Sequence, residues 1–199
     1  MTSPTIALVV ILAIVVIIGF WAIATYNALV RLRNLVQEAW RQIDVELTRR
    51  HDLIPNLVET VKGYAAHERG VFDEVARARA AAVGGPASPA AQAKQEDALT
   101  QALGHLFAVA ENYPVLRASE NFQQLQGELA NTEDRIAAGR RFYNANVRTL
   151  NTKVETFPAN TIASMFGFAR AEYFETEDLA VRAAPTVSFG TSDDAAPPA

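Results

Sequence analysis

The chain of 199 residues contains no cysteine. That excludes disulfides, thiolate nucleophiles, cysteine-bound zinc and a lipid-modified cysteine anchor. Positive charge is not in excess either. Lys and Arg number 18 against 22 Asp and Glu, for a formal net charge of −4. Nucleic-acid binding asks for a basic face, so no nucleic-acid partner is expected. The ten glycines and nine prolines are few and clustered, which suits helices with short connections. No segment alternates with period two for long enough to argue for a strand. The three histidines, His51, His67 and His105, have no Glu three residues before them. The Glu-x-x-His pattern of di-iron bundles and the His-Glu-x-x-His of zinc proteases are therefore both absent. The histidines read as packed or solvated helix residues, and no metal, cofactor or catalytic residue is expected. "GGP" lacks the Lys and Ser/Thr of a phosphate-binding loop.

What is present begins with "TIALVVILAIVVIIGFWAIATY", residues 5–26. Nothing from 6 to 24 is charged or strongly polar. At 1.5 Å per residue this crosses a hydrocarbon core of roughly 30 Å. Trp21 and Tyr26 lie where amphipathic rings favour the headgroup level. A cleaved signal is the competing reading, since residues 22–24 have the small-x-small form of a cleavage site. Against it, no basic residue precedes the run, and the run is longer than a usual signal core, so a retained anchor is expected. The N-terminal "MTSP" has no basic side chain, whereas Arg31 and Arg33 precede the first acid, Glu38. The positive-inside rule then puts the N-terminus outside and the body in the cytoplasm.

The body reads as helix throughout. Val36, Trp40, Ile43, Leu47, Arg50, Ile54, Leu57 and Val61 recur in threes and fours, and the stripe continues to Ala82. "GGPASPA" at 84–90 is a loop. A second stripe carries Leu99, Leu103, Leu106, Ala110 and Tyr113. Ser119 is placed to cap a third run that ends at Phe157-Pro158.

Within "RRHDLIPNLVETVKGYAAHE" (49–68), Pro55 removes a backbone donor from an otherwise helical pattern. The stripe keeps its phase across Pro55, which favours a kink. The polar pentad 48–52 favours a turn, with Asp52 capping a new helix and Pro55 in its first turn. A turn would split the first leg into two pieces of about 40 Å and yield an up-down bundle of four antiparallel helices.

Three stretches are recognisable. "YNALVRLRNLVQEAWRQIDVELTRRHDLIPNLVETVKGYAAHE" (26–68), "ENFQQLQGELANTEDRIAAGRRFYNANVRTLNTKVETFP" (120–158) and "FGFARAEYFE" (166–175) resemble the ordered blocks of the LemA family. The resemblance implies a single-pass protein of the bacterial inner (plasma) membrane with a four-helix soluble body. It implies no reaction. It tips the Pro55 question toward a break. The expected organisation is a tail at 1–4, a transmembrane helix at 5–26, a bundle with coiled-coil-like packing at 27–157, a C-terminal segment packed on it at 158–182, and a disordered tail at 183–199.

The sharpest polar feature is the corner of Arg49, Arg50, Asp52, Pro55, Asn56 and Lys62. It reads either as a helix start or as a partner-docking corner. In the first reading Asp52 and Asn56 act as caps, with Glu46–Arg50 and Glu59–Lys62 as helix pairs. Arg50 lies on the core stripe, so its charge must snorkel or meet an acid such as Glu128, Glu133 or Asp134. Trp40 is expected in the core, and Asp134, Arg135, Arg140 and Arg141 on a solvated face. The apolar residues after Pro158, from Ile162 to Phe174, must wrap the bundle or meet a partner or membrane.

With no catalytic constellation, the expected function is a non-enzymatic, membrane-anchored scaffold. Its partners would be the lipid bilayer and a membrane or cytoplasmic protein. The alternatives are a self-assembling membrane-surface protein, hence a homo-oligomer, and an enzyme with an unrecognised carboxylate or histidine site.

Overall fold

The computed structural model describes residues 3–85 and 88–175, and every regular element among them is helical. The helices are α1 (Ser3–Lys62), α2 (Arg69–Val83), α3 (Pro89–Glu111), α4 (Pro114–Arg117), α5 (Glu120–Glu155) and α6 (Ala159–Met165). The tail expected to be disordered at 183–199 lies outside the described residues.

The first helix corrects the sequence reading. Its 60 residues run without interruption from the apolar N-terminal stretch into the body, with Pro55 inside. At 1.5 Å per residue it is about 90 Å long. No boundary falls at residue 26, and no turn falls at Asp52–Pro55. The chain reverses only after Lys62, where Gly63, Tyr64 and Ala65 donate to the carbonyls of Glu59 and Val61. The conserved phase of the apolar stripe was the better guide, because an uninterrupted helix keeps Leu47, Ile54, Leu57 and Val61 all buried on one side.

Later boundaries follow local signals. The side chain of Ser88 accepts from Ala91 N at the start of α3, where Pro89 occupies the first turn. Ser119 accepts from Phe122 N at the start of α5. α5 lies antiparallel to α1 along most of the body. Ile43 meets Gly139, and Trp40 meets Tyr143 with ring centroids 5.5 Å apart. A Cβ on Gly139 would stand 3.0 Å from Ile43 Cγ1, so the missing side chain sets how closely the two helices approach.

Two apolar cores result. The near core, on the side of the N-terminal run, joins Leu29, Val36, Ile43 and Leu47 of α1 to Ile136, Tyr143, Val147 and Leu150 of α5. Ile162 and Ala163 of α6, then Phe168 and Phe174, close it. The far core joins Ile54, Leu57 and Val61 of α1 to Phe72 and Val75 of α2, Leu99, Leu103 and Leu106 of α3, Leu116 of α4, and Phe122 and Leu129 of α5.

The extended chain after α6 is held by amides of α5. Asn151 donates to the carbonyl of Ala171 (3.0 Å) and accepts from its N–H (2.8 Å). Asn144 does the same for Phe174, at 3.3 and 2.9 Å. The Tyr143 hydroxyl donates to the carbonyl of Glu172 at 2.8 Å. Burial, with the Glu172 carboxylate nearby, pushes that phenol up to about 12. Seven residues separate the two asparagines, so they share one face of α5 and pair with backbone three residues apart.

Candidate functional site

Between the two cores lies a polar layer to which four helices contribute. On α1, Arg50 and His51 sit between Leu47 and Ile54. On α3, Gln92 and Glu96 sit around Ala93 and before Leu99. On α5, Thr132 and Glu133 sit between Leu129 and Ile136. Arg50 is only 2% exposed.

Glu96 is the hub. Its Oε2 accepts from Arg50 Nη1 at 2.8 Å, and its Oε1 accepts from His51 Nε2 at 2.9 Å and from Gln92 Nε2 at 2.7 Å. A carboxylate only accepts, so His51 must carry a proton on Nε2. Burial pushes the Glu96 carboxyl up. The His51 hydrogen bond and charge, the Arg50 guanidinium and the Gln92 amide together outweigh burial and hold it below the usual carboxylate range.

Arg50 Nη2 donates to Thr100 Oγ1 at 2.7 Å, and Thr100 Oγ1 donates to the carbonyl of Glu96 at 2.9 Å. Arg50 Nε stands 2.8 Å from Glu133 Oε1, close as an ion pair but off-angle for a hydrogen bond. Burial, together with the Glu96 charge, raises the Glu133 carboxyl above its usual range despite the attraction of Arg50. The layer thus holds one carboxylate that its surroundings want ionised and one that they would sooner protonate.

α2 joins through the residue that looked most out of place. Pro55 has no N–H for the carbonyl of His51, four residues back. Arg79 Nε on α2 donates to that carbonyl instead, at 2.7 Å. An orphaned buried carbonyl costs about 1–3 kcal/mol, and the guanidinium supplies a charge-assisted replacement. Pro55 therefore does not break α1. It opens a backbone acceptor through which α2 is fastened to α1.

The corner expected from sequence is divided by this arrangement. Arg50 points into the layer, while Arg49, Asp52, Pro55, Asn56 and Lys62 are exposed on α1. Asp52 and Asn56 lie inside a helix and cap no helix start. Lys62 pairs with Glu59 at 3.3 Å. Arg50 does not pair with Glu46, which faces Arg135 at 3.4 Å. Of the three acids offered to Arg50, Glu133 is the one it meets. Sequence reasoning missed Glu96 and His51. Glu96 falls between Ala93 and Leu99 on the apolar face of α3, and that interruption of the stripe was the available signal. Trp40 packs against Tyr143 and Phe174, with the core as expected. Arg140 is less solvated than expected, since its guanidinium lies 5.0 Å from the centroid of Phe174.

A cavity of about 400 Å³ between α3 and α5 reaches this layer, with Leu103, Phe107 and Leu129 on its walls and Arg50 and Glu133 at its floor. Among the described residues no group of three or more His, Asp or Glu could hold a metal ion.

These features define a helical protein with, among the described residues, one helix long and apolar enough to cross a membrane, continuous with a body braced by a buried ionic layer. The chain belongs to the LemA family, whose model matches residues 39–189. It is similar to the magnetosome proteins MamQ 1 and MamQ 2 of Paramagnetospirillum magneticum, each 31% identical, over 87% of this chain and 73% of the relative. It is also similar to protein LemA of Metamycoplasma hominis, at 27% identity over 77% of this chain and 70% of that one.

Proposed function

We propose that the chain is a membrane-anchored, non-enzymatic scaffold whose helical body recruits a protein partner. The observation that carries the proposal is the unbroken course of α1 from its apolar run to Lys62. A body built on the continuation of its own anchor is held at a fixed distance and angle from the bilayer. A flexible linker would give neither. The far parts of α1 and α5, with α2 and α3, are read as the four-helix body that the family resemblance implies. The charged layer supports a structural role, because Arg50, His51, Gln92 and Glu96 are engaged with one another. A polar layer bonded in this way penalises any slip of α3 or α5 against α1, which would strand a charge. Arg31 and Arg33, on the body side of the apolar run, support a cytoplasmic body under the positive-inside rule.

Self-assembly is the second reading. Val45 and Phe142 are exposed beside a groove of about 510 Å³ between α1 and α5. Photo-crosslinking residues at Phe142 and at exposed Val115 in native membranes test both readings. Adducts to a different protein support the scaffold. Adducts only to a second copy of the chain overturn it in favour of self-assembly. A periplasm-only reporter active after Ala199 would reverse the orientation.

A further inference from the structure

The corner formed by the end of α5 and by α6 is not needed by the scaffold reading. Antiparallel packing returns this corner to the apolar run of α1. Trp21 and Thr25 of α1 share a cavity of about 500 Å³ with Arg148, Lys153 and Phe157. On the α6 side, the Phe166 ring meets Tyr26 edge-on, with centroids 4.8 Å apart. The corner therefore stands level with Trp21 and Tyr26, the aromatic end of the apolar run.

Three large apolar side chains point outward there: Phe157 is 79% exposed, Met165 70% and Phe166 56%. Their neighbours Ala159, Ile162 and Ala163 are buried, so the short helix divides its apolar residues between the near core and the outside. The charges are complementary to lipid phosphate. Arg148 and Lys153 line the groove without an acidic partner among the described residues, and the nearby carboxylate of Glu155 is taken by Arg170 at 3.0 Å. Aromatic and apolar tips beside unpaired cations suit the boundary between acyl chains and headgroups.

We infer that this corner is a second, interfacial membrane contact, continuous with the α1 anchor. Phe157, Met165 and Phe166 enter the leaflet that α1 leaves near Tyr26, and Arg148 and Lys153 face the phosphate of an anionic phospholipid. The inference rests on the reading of α1 as an anchor. Two points of attachment fix the rotation of the body about α1 as well as its height. A single helix leaves that rotation free.

The absence of cysteine allows a direct test on the full chain. Phe157→Cys and Met165→Cys are labelled with a nitroxide in phosphatidylcholine vesicles with and without phosphatidylglycerol. Ile14→Cys in the apolar run and Val115→Cys at the far end serve as references. The expected result is oxygen-rich, nickel-poor relaxation at 157 and 165, approaching the label at 14 and opposite to that at 115. Phosphatidylglycerol should deepen both labels, and Arg148→Gln with Lys153→Gln should abolish that deepening. Labels at 157 and 165 as open to nickel as the one at 115, with 14 still oxygen-rich, overturn the interfacial contact and leave the anchor standing. Nickel access at 14 as well removes the anchor reading and this inference with it. Equal depth with and without phosphatidylglycerol in the unsubstituted background overturns the role given to Arg148 and Lys153.

Discussion

The far core around Leu57, Leu99 and Leu106 is walled by residues of α1, α2, α3 and α5, with Leu116 of the short α4. The near core around Ile43, Val147 and Phe174 is walled mainly by α1 and α5, with Ala93 of α3 at one end, and α6 and the chain after it close its open side. That closure is polar, made by Asn144, Asn151 and Tyr143 on the backbone of residues 171–174. A helix satisfies its own backbone and can be buried by its apolar stripe alone. An extended segment cannot, so α5 must supply amide side chains to pair with it. The ionic layer lies between these two solutions and couples them.

The largest effect is expected where the two halves meet. Glu96→Leu leaves Arg50 buried with only Glu133 beside it, and should lower stability by about 3–5 kcal/mol in urea denaturation of the full chain in detergent. Replacing both charges, Arg50→Met with Glu96→Leu, should recover much of that loss, since no buried charge is then stranded. A double variant as damaged as the single one would mean that the layer is not held by this pair.

The far half is sharpened by a double-mutant cycle. Arg79→Ala should cost about 1–3 kcal/mol by leaving the His51 carbonyl unbonded. In a Pro55→Ala background the residue at 55 regains its N–H, so Arg79→Ala should cost clearly less. Pro55→Ala alone should be neutral or stabilising, because an interior proline costs up to about 3 kcal/mol and Arg79 already offsets part of that. Equal costs in both backgrounds would disconnect Arg79 from Pro55.

The near half should respond locally. Asn151→Ala removes two hydrogen bonds, on the order of 2 kcal/mol, and should raise amide exchange in residues 168–175. Exchange in α2 and α3 should not change. If both halves open together, they form one cooperative unit and the contrast between them fails.

The two acids should differ in their pH response. Glu96 titrates below its ordinary range in the folded chain, so its contribution is present at neutral pH and is lost as pH falls through that lowered value. Glu133 titrates above its ordinary range. Its contribution is present in acid and is lost as pH rises through the raised value. Glu133→Gln should therefore match the parent in acid and equal or exceed it at neutral pH. The difference should stay within about 1 kcal/mol, because the side chain is partly solvated. The smallest effect is expected for Asp52→Ala, within about 0.5 kcal/mol, since Asp52 is exposed in mid-helix and caps nothing.

The sequence by itself determined the all-helical class, the membrane-length run and the serine cap at 119. Each depends on residues within a few positions of one another, where periodicity and capping act. It also showed that Arg50 had to snorkel or meet an acid, because a charge on an apolar stripe has few other outcomes. Only the tertiary structure decided what Pro55 does. The carbonyl it orphans is satisfied by Arg79, 28 residues from His51 along the chain, and local reasoning about caps and turns cannot see such a partner. Separation along the chain also hid Glu96, 45 residues from His51, and the asparagine amides that receive residues 171–174. A helix can carry a proline, a buried arginine or an unpaired extended neighbour when another segment supplies the missing hydrogen bond, and which segment does so is fixed by packing.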